Sequence, residues 1–215
     1  MQVDRLKILI IGSTGGTGKE LVKQALERNF YVTAFVRKPE KLKIKHELLK
    51  VCIGNVLNPE TINNAVKGQD AVLCALGHKR WFYPNNILSQ GTKNIIEAMV
   101  KNNVRRFICE TSLGIGNSFG KLGLYYTLFT IPFILPFYFW DKGRQEKIIR
   151  SSSLDWTIVR PGMLTNGTKK GKYKHGEKVG NFLWSVRISR ADTADFMLNQ
   201  LSDKNYFHKA VGVCW

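Results

Sequence analysis

Short apolar runs alternate along this chain with longer stretches in which apolar residues recur at helical spacing. The runs are typical of buried strands and the recurring pattern is typical of amphipathic helices. Strands separated by helices predict an α/β fold, a doubly wound parallel sheet in three layers. The predicted strands are Lys7–Ile11, Tyr31–Val36, Leu48–Ile53, Ala71–Leu76, Phe107–Glu110, Trp156–Val159 and Ala210–Val213. The predicted helices cover 19–28, a stretch beginning at Asn58-Pro59, 86–101, 142–150 and 190–201.

Length and cysteine usage favour a single cytoplasmic domain. The 215 residues fit one domain over 1–215, interrupted by an apolar segment at 122–140. Ile8–Ile11 is too short for the apolar core of a targeting segment. Cys52, Cys74, Cys109 and Cys214 are scattered, with no metal-ligand spacing, which predicts reduced thiols and no metal site.

A glycine-rich turn follows the first predicted strand and precedes the first predicted helix. Its glycines recur every third residue, at Gly12, Gly15 and Gly18. Glycines at such positions allow a tight turn, a close approach of the backbone to a pyrophosphate, and close packing of helix on strand. The helix N-terminus adds free N–H groups for the anion. Thr14 and Thr17 are expected to add hydroxyl donors.

The carboxyl ends of parallel strands meet at one edge of the sheet, where ligands bind. Arg37-Lys38 end the second strand, where an NAD-binding domain usually carries an acid. A guanidinium there suits a 2′-phosphate, so the sequence predicts NADPH rather than NADH as cofactor. The predicted cofactor-binding residues are Gly12, Thr14, Gly15, Gly16, Thr17, Gly18, Arg37, Lys38, Asn55, Val56, Leu76, Gly77 and Pro161.

Several of these segments, taken together, resemble a known family. They are Gly12–Gly18, Arg37–Pro39, Gly54–Val56, Thr111-Ser112, Leu154–Gly162 and Ser189–Asp192. The chain is similar to the atypical short-chain dehydrogenases/reductases, in the NAD(P)H-binding, NmrA-like group that includes biliverdin reductase B (flavin reductase). The resemblance implies a Rossmann-type fold, NADPH binding and reductase chemistry, and it matches Ser112 to an active-site serine.

The sequence departs from that family at two positions. Asn55 stands where an acid usually contacts the adenine, and its side-chain carbonyl can still accept a hydrogen bond from the amino group. Met163 stands where biliverdin reductase B places a histidine, so no role of that histidine is carried over.

Tyr138 and Lys142 have the Tyr-x-x-x-Lys spacing that ordinary short-chain dehydrogenases use together with a serine, here Ser112. The spacing places both side chains on one helix face, where an ammonium can stabilise a tyrosinate as general acid–base. Coincidence explains the spacing equally simply, since Tyr138 ends an aromatic run. A flavin or tetrapyrrole acceptor can then be reduced with a solvent proton, while Ser112 donates a hydrogen bond. His78 is a further candidate proton donor.

The segment 122–140 contains no charged residue. Its length reaches the lower limit for spanning a bilayer, but Pro132 and Pro136 are expected to break a helix twice, and the segment lies between two strands of one sheet. Three interpretations remain: buried core that also forms a wall of the substrate pocket, a dimer interface or binding site for a hydrophobic partner, or a surface that dips into a membrane beside nearby lysines.

The chain carries 33 Lys+Arg against 16 Asp+Glu, a formal net charge of +17. Such a surface attracts polyanions, but no nucleic-acid-binding motif accompanies the charge, and no nucleic-acid partner is expected. The sequence therefore predicts an NADPH-dependent oxidoreductase acting on a planar hydrophobic acceptor such as a flavin, tetrapyrrole or quinone. The alternative is a non-catalytic NADPH-binding sensor or assembly factor with a protein or membrane partner.

Overall fold

The computed structural model describes residues 5–78 and 83–215. Their strands form one eight-stranded sheet in the order β3-β2-β1-β4-β5-β6-β10-β8, in which only β8 is antiparallel to its neighbour. A small parallel pair, β7 with β9, stands apart. The strands are β1 Lys7–Ile11, β2 Tyr31–Val36, β3 Leu49–Ile53, β4 Ala71–Cys74, β5 Arg106–Glu110, β6 Asp155–Pro161, β7 Met163–Thr165, β8 Lys174–Gly176, β9 Arg187–Ser189 and β10 Lys209–Cys214. The helices are α1 Gly16–Glu27, α2 Pro59–Val66, α3 Ile87–Lys101, a π-helix Tyr126–Ile134, α4 Pro136–Arg150 and α5 Arg190–Asn199.

The helices cover both faces of this sheet, which confirms the predicted Rossmann-type, three-layer fold. Successive residues of a strand point to opposite faces. In β1, Ile8 and Ile10 pack in the core beneath α1 and α5, while Leu9 and Ile11 pack in the core beneath α2, α3 and α4. A strand buried on both faces is apolar throughout, which is why β1 reads as a continuous apolar run.

The structure corrects several predicted boundaries. β4 ends at Cys74 instead of Leu76, although the Ala75 N–H still bonds the Ile11 carbonyl at 2.9 Å. α4 begins at Pro136 instead of Lys142. The three-residue strands β7, β8 and β9 were not predicted, since runs so short carry no periodic signal.

The two prolines of the apolar segment, Pro132 and Pro136, occupy different positions relative to the helices. The expectation that Pro132 breaks the helix is wrong, because it lies inside the π-helix. The wider turn of a π-helix gives the proline ring more room from the preceding carbonyls than an α-helix would. Pro136 is the first residue of α4, where its missing N–H costs no helical hydrogen bond.

Among the described residues, no helix has both the length and the apolar character needed to cross a membrane.

Candidate nucleotide-binding and active site

The glycine turn joins β1 to α1 by contacts that only glycine permits. Gly12 has φ of +82°, and a Cβ there would collide with the Ala75 carbonyl oxygen at the end of β4. A Cβ at Gly18 would collide with the Gly12 carbonyl oxygen, so the first turn of α1 rests directly on the turn before it. The backbone therefore reaches a proximity to β1 and β4 that any side chain would prevent.

The N-terminus of α1 has the features of an anion site. Gly15 caps the helix without a side-chain acceptor, and the first turn holds no acidic residue. The Lys19 N–H makes the first helical hydrogen bond, to the Gly15 carbonyl at 2.9 Å. The N–H groups of Gly16, Thr17 and Gly18 therefore have no partner within the helix and can bind a pyrophosphate.

The Thr17 hydroxyl points away from this anion site. It is buried and donates to Glu110 Oε1 at 3.0 Å. The side chain thereby joins α1 to the end of β5, and a contact of this hydroxyl with a phosphate stays a prediction. Thr14 is half-buried in the turn itself, and its contact with a phosphate stays a prediction.

Arg37 and Lys38 are both exposed at the carboxyl end of β2. Within residues 5–78 and 83–215, neither side chain forms an ion pair. They stand at the edge of the sheet where the ribose of a dinucleotide would lie, one strand away from the glycine turn. Two unneutralised cations at this place can hold a phosphate.

Asn55 and Val56 follow β3 but present different groups. Asn55 is exposed, and its Oδ1 accepts from the Leu57 N–H at 3.1 Å, which fixes the turn while leaving the second lone pair free. The Val56 side chain is buried against Gly91 of α3, and its carbonyl accepts from Asn94 Nδ2 at 2.8 Å. Val56 therefore joins the end of β3 to α3 through packing, and its predicted contact with a nucleotide stays a prediction.

Tyr138 and Lys142 lie one turn apart on α4 and both face the carboxyl edge of the sheet. The Tyr138 hydroxyl approaches Gly77, at 3.6 Å from where a Cβ would stand, and the tyrosine ring meets the His78 ring edge-on at 5.0 Å between centroids. Lys142 Nζ lies 3.4 Å from the Glu110 carbonyl oxygen and 5.2 Å from the Tyr138 ring centroid. The predicted pair thus reaches the ends of β4 and β5.

The charges around this pair are buried. Burial alone would lower the pKa of Lys142, but the neighbouring Tyr138 and Glu110 outweigh it, so its pKa lies above the ordinary value and the ammonium persists. Burial raises the pKa of the Glu110 carboxyl, an effect that Lys142, Thr17 and Arg190 partly offset. A persistent cation at this position stabilises negative charge on anything placed beside Tyr138.

A carboxylate between the pair fixes the rotation of α4. Asp141 is fully buried, and its oxygens accept from the N–H groups of Leu88 at 2.8 Å and Ser89 at 3.2 Å and from the Ser89 hydroxyl at 2.5 Å. These are unpaired donors in the first turn of α3. Because Asp141 must face α3, Tyr138 and Lys142 on its two sides are turned toward the sheet edge.

Ser112 lies just beyond β5, half-buried, and its hydroxyl donates to the Leu113 carbonyl at 2.9 Å. Leu113 is bound in turn by its N–H to the carbonyl of Pro161, at 3.1 Å, which places the buried Pro161 beside this loop. Behind them, the Glu146 carboxylate pairs with the buried Arg160 guanidinium, with Nε to Oε1 at 2.9 Å. A bidentate pair of this kind holds β6 against α4.

A sequence model described as NAD(P)H-binding matches residues 12–204. This chain belongs to that NAD(P)H-binding family. Among curated relatives, an uncharacterized chloroplastic protein of Arabidopsis thaliana is 32% identical, over 96% of this chain and 76% of the relative. Protein TIC 62 of Pisum sativum is 27% identical over 88% of this chain, which spans 39% of that protein. The photosystem II assembly factor Ycf39 of Synechocystis is 27% identical over 48% of this chain and 32% of its own length.

Solved structures share the fold of this family member. A short-chain dehydrogenase/reductase from Veillonella parvula in complex with NADP superposes with a TM-score of 0.83, at 21% identity over 98% of this chain and 94% of that one. ChuY, an anaerobillin reductase from Escherichia coli O157:H7, gives a TM-score of 0.79 at 20% identity, over 96% of both chains.

One cation that was not among the predicted site residues lies beside the glycine turn of this family member. The Arg190 side chain, at the start of α5, lies directly over Gly16, where a Cβ would collide with it. Its Nη1 donates to Asn166 Oδ1 at 2.6 Å. Arg190 comes from the far end of the chain, and its signals were its place in the segment Ser189–Asp192 that carries the family resemblance and its position after Ser189, which caps α5.

Proposed function

We propose that this chain is an NADPH-dependent reductase of a planar hydrophobic acceptor, of the flavin, tetrapyrrole or quinone kind. One observation carries the proposal: α4 holds a tyrosine and a buried ammonium at the same sheet edge as the glycine turn. A protein that only binds the nucleotide has no need for a buried cation beside a phenol.

The residues present fit a phosphorylated dinucleotide. The cradle formed by Gly12, Gly15 and Gly18 would be filled by any Cβ, and the free N–H groups of α1 open from it. Arg37 and Lys38 would hold the 2′-phosphate at the adenosine end, which favours NADPH over NADH. Arg190, above Gly16, supplies a further positive charge beside the pyrophosphate.

When bound, NADPH supplies a hydride to the acceptor. The chain's own residues would supply the accompanying proton and its electrostatic balance. The Tyr138 hydroxyl donates a proton to the acceptor atom, and the Lys142 ammonium stabilises the phenolate left behind. Ser112 can turn from the Leu113 carbonyl to hydrogen-bond the acceptor. The acceptor thereby gains a hydride and a proton, a two-electron reduction.

The walls beyond Ser112 favour a flat, apolar acceptor. Ile131 of the π-helix and Phe139 of α4 pack closely on Gly114, at 3.1 and 3.3 Å from where a Cβ would stand. The Tyr126 hydroxyl meets the Met163 sulfur at 2.6 Å, so an apolar thioether stands after β6. Aromatic and thioether groups pack well against the face of a conjugated ring.

The experiment measures NADPH oxidation by the purified chain with FMN, biliverdin and a small quinone panel. Tyr138→Phe is expected to lower kcat about 100-fold or more, the usual loss of a general acid. Arg37→Ala is expected to raise the KM for NADPH about tenfold or more without changing kcat or the KM for NADH. Lys41→Ala, also exposed and close in sequence, is the matched control. Unchanged turnover in Tyr138→Phe would overturn the assigned proton donor.

A second candidate is an NADPH-binding factor without turnover, which works through a partner. The observation that favours it is the similarity of about half of the chain to a photosystem II assembly factor. Tight NADPH binding, weakened by Arg37→Ala, with no oxidation in the presence of any acceptor would establish this candidate and exclude the reductase. A cytoplasmic location stays a prediction under both.

A further inference from the structure

A large group of apolar side chains faces solvent on the side of the molecule formed by the π-helix. They come from two segments about fifty residues apart in the chain, and each is more than half exposed. We call them the aromatic platform: Phe119, Tyr125, Leu128, Phe129, Phe133, Trp140, Phe182, Leu183 and Trp184. The exposure of these side chains excludes the interpretation that the whole uncharged segment is buried core, since several of its aromatic rings lie in solvent.

The two segments form one surface. The Asn181 N–H donates to the Lys121 carbonyl at 2.9 Å, and Lys121 Nζ donates to the Glu177 carbonyl at 3.1 Å. The Phe182 ring lies over Gly120, at 3.1 Å from the position of a Cβ. Gly123, with φ of +101°, packs directly against the backbone of Trp184 and Ser185. Backbone contacts and glycine turns therefore hold Phe182–Trp184 against the start of the apolar segment.

The rim of the platform is positively charged. No Asp or Glu occurs from Thr111 to Trp140. The same two segments and α4 carry Lys121, Arg144, Lys178 and Arg187, and the Arg144 guanidinium stacks over the Trp140 ring at 4.8 Å. Glu177 is the carboxylate carried by the second segment. Aromatic rings surrounded by cations match a lipid bilayer with anionic headgroups, in which rings lie at headgroup depth and cations meet the phosphates.

We propose that the aromatic platform binds the surface of a membrane that contains anionic lipid. The chain would lie on the bilayer without crossing it, consistent with the shortness of the helices among the described residues. Its net charge of +17 draws the molecule to the surface, and the exposed rings of the π-helix and of Phe182–Trp184 insert. The inference stands independently of the reductase proposal, because lipid binding requires no turnover.

Flotation with vesicles tests it. Purified protein is mixed with vesicles of phosphatidylcholine alone or of phosphatidylcholine with phosphatidylglycerol, and the bound fraction is measured. Wild-type protein is expected to float with the anionic vesicles and to be released in part by salt. Phe133→Ser and Trp184→Ser, one from each segment, are each expected to weaken partitioning about tenfold. Val100→Ser, an exposed apolar position on α3, is the matched control and leaves partitioning unchanged.

Three results would overturn the proposal. Failure of the wild type to float with either vesicle would exclude lipid binding. Flotation that survives both serine substitutions would show that charge alone holds the protein. A wild-type dimer in light scattering that Phe133→Ser dissociates, with no vesicle binding, would assign the platform to contact between two copies of this chain. Circular dichroism melts that match the wild type show that each variant is folded.

Discussion

The sheet edge around the glycine turn and the sheet edge beyond β5 and β6 are built in different ways. At β1 and β4, the site is formed by backbone: glycines, free N–H groups and carbonyls in contact. Beyond β5 and β6, long connections present side chains, many of them aromatic and exposed. Backbone contacts accept almost no variation, whereas side chains can change without moving the sheet. The comparison teaches that a few glycines shape the cofactor cradle. The side chains of the segments at 111–140 and 163–189 shape the rest of the site and the exposed surface beside it.

Gly18→Ala is expected to have the largest effect, because the added Cβ meets the backbone of Gly12, which cannot move aside. Unfolding in urea should show a loss of roughly 3 to 5 kcal/mol, and nucleotide binding measured by calorimetry should disappear. Gly143→Ala in α4 is the control, since open space surrounds that position. It should stabilise the protein by about 0.5 to 1 kcal/mol. Equal stability of the two variants would contradict the backbone-built turn.

Asp141→Ala is expected to have the second largest effect. The free energy of unfolding should fall by about 2 to 3 kcal/mol, because three buried donors of α3 lose their acceptor. The substitution should also lower kcat by releasing α4 from its fixed rotation. Asn58→Ala removes an exposed, local cap of α2, which accepts from Glu60 and Thr61, and should cost about 1 kcal/mol with no change in kcat. If both variants lost the same stability and kept full turnover, Asp141 would be an ordinary cap.

Glu110→Gln is expected to change the pH dependence of stability. The native state holds the proton of this carboxyl more tightly than the unfolded chain does, because its pKa is raised above 4.5. The contribution of Glu110 to the free energy of unfolding is therefore greatest below the pKa of the unfolded chain and is lost as pH rises through the native pKa. The loss is about 1.4 kcal/mol for each unit by which the two pKa values differ. Urea unfolding from pH 4 upward should show this decline in wild type and in the exposed control Glu47→Gln, and its absence in Glu110→Gln. A decline of equal size in Glu110→Gln would assign it to another group.

Phe133→Ser is expected to have the smallest effect on folding, within about 0.5 kcal/mol, because three quarters of the side chain is already in solvent. Differential scanning calorimetry measures this directly. A loss of several kcal/mol would mean that the ring is covered in solution, and the aromatic platform would then belong to the core.

The nucleotide half could be predicted from the sequence because its signals are local. The bounds of β1 and β2, the glycine turn and the Asn58 cap follow from neighbouring residues, and the structure confirms them. The Tyr138–Lys142 spacing could be read, but what orients it could not, since Asp141 caps a helix that begins 54 residues earlier. The direction of Thr17 and the position of Arg190 over Gly16 likewise depend on contacts between distant segments. The π-helix could not be predicted from the local sequence, because Pro132 inside it predicts a helix break.

The packing of α1 against α5 has a consequence for the order in which the molecule is made. Gln24 Nε2 donates to the Ala191 carbonyl at 2.9 Å, and the Arg28 guanidinium meets Asp195 at 2.8 Å. On the ribosome, β1 and α1 emerge early, but the face of α1 that α5 covers stays open to water until synthesis reaches Asn199. The glycine turn thus gains the contacts of α5 with the helix that follows it only late in translation. A nascent chain halted before Arg190 carries the complete glycine fingerprint and an unfinished site.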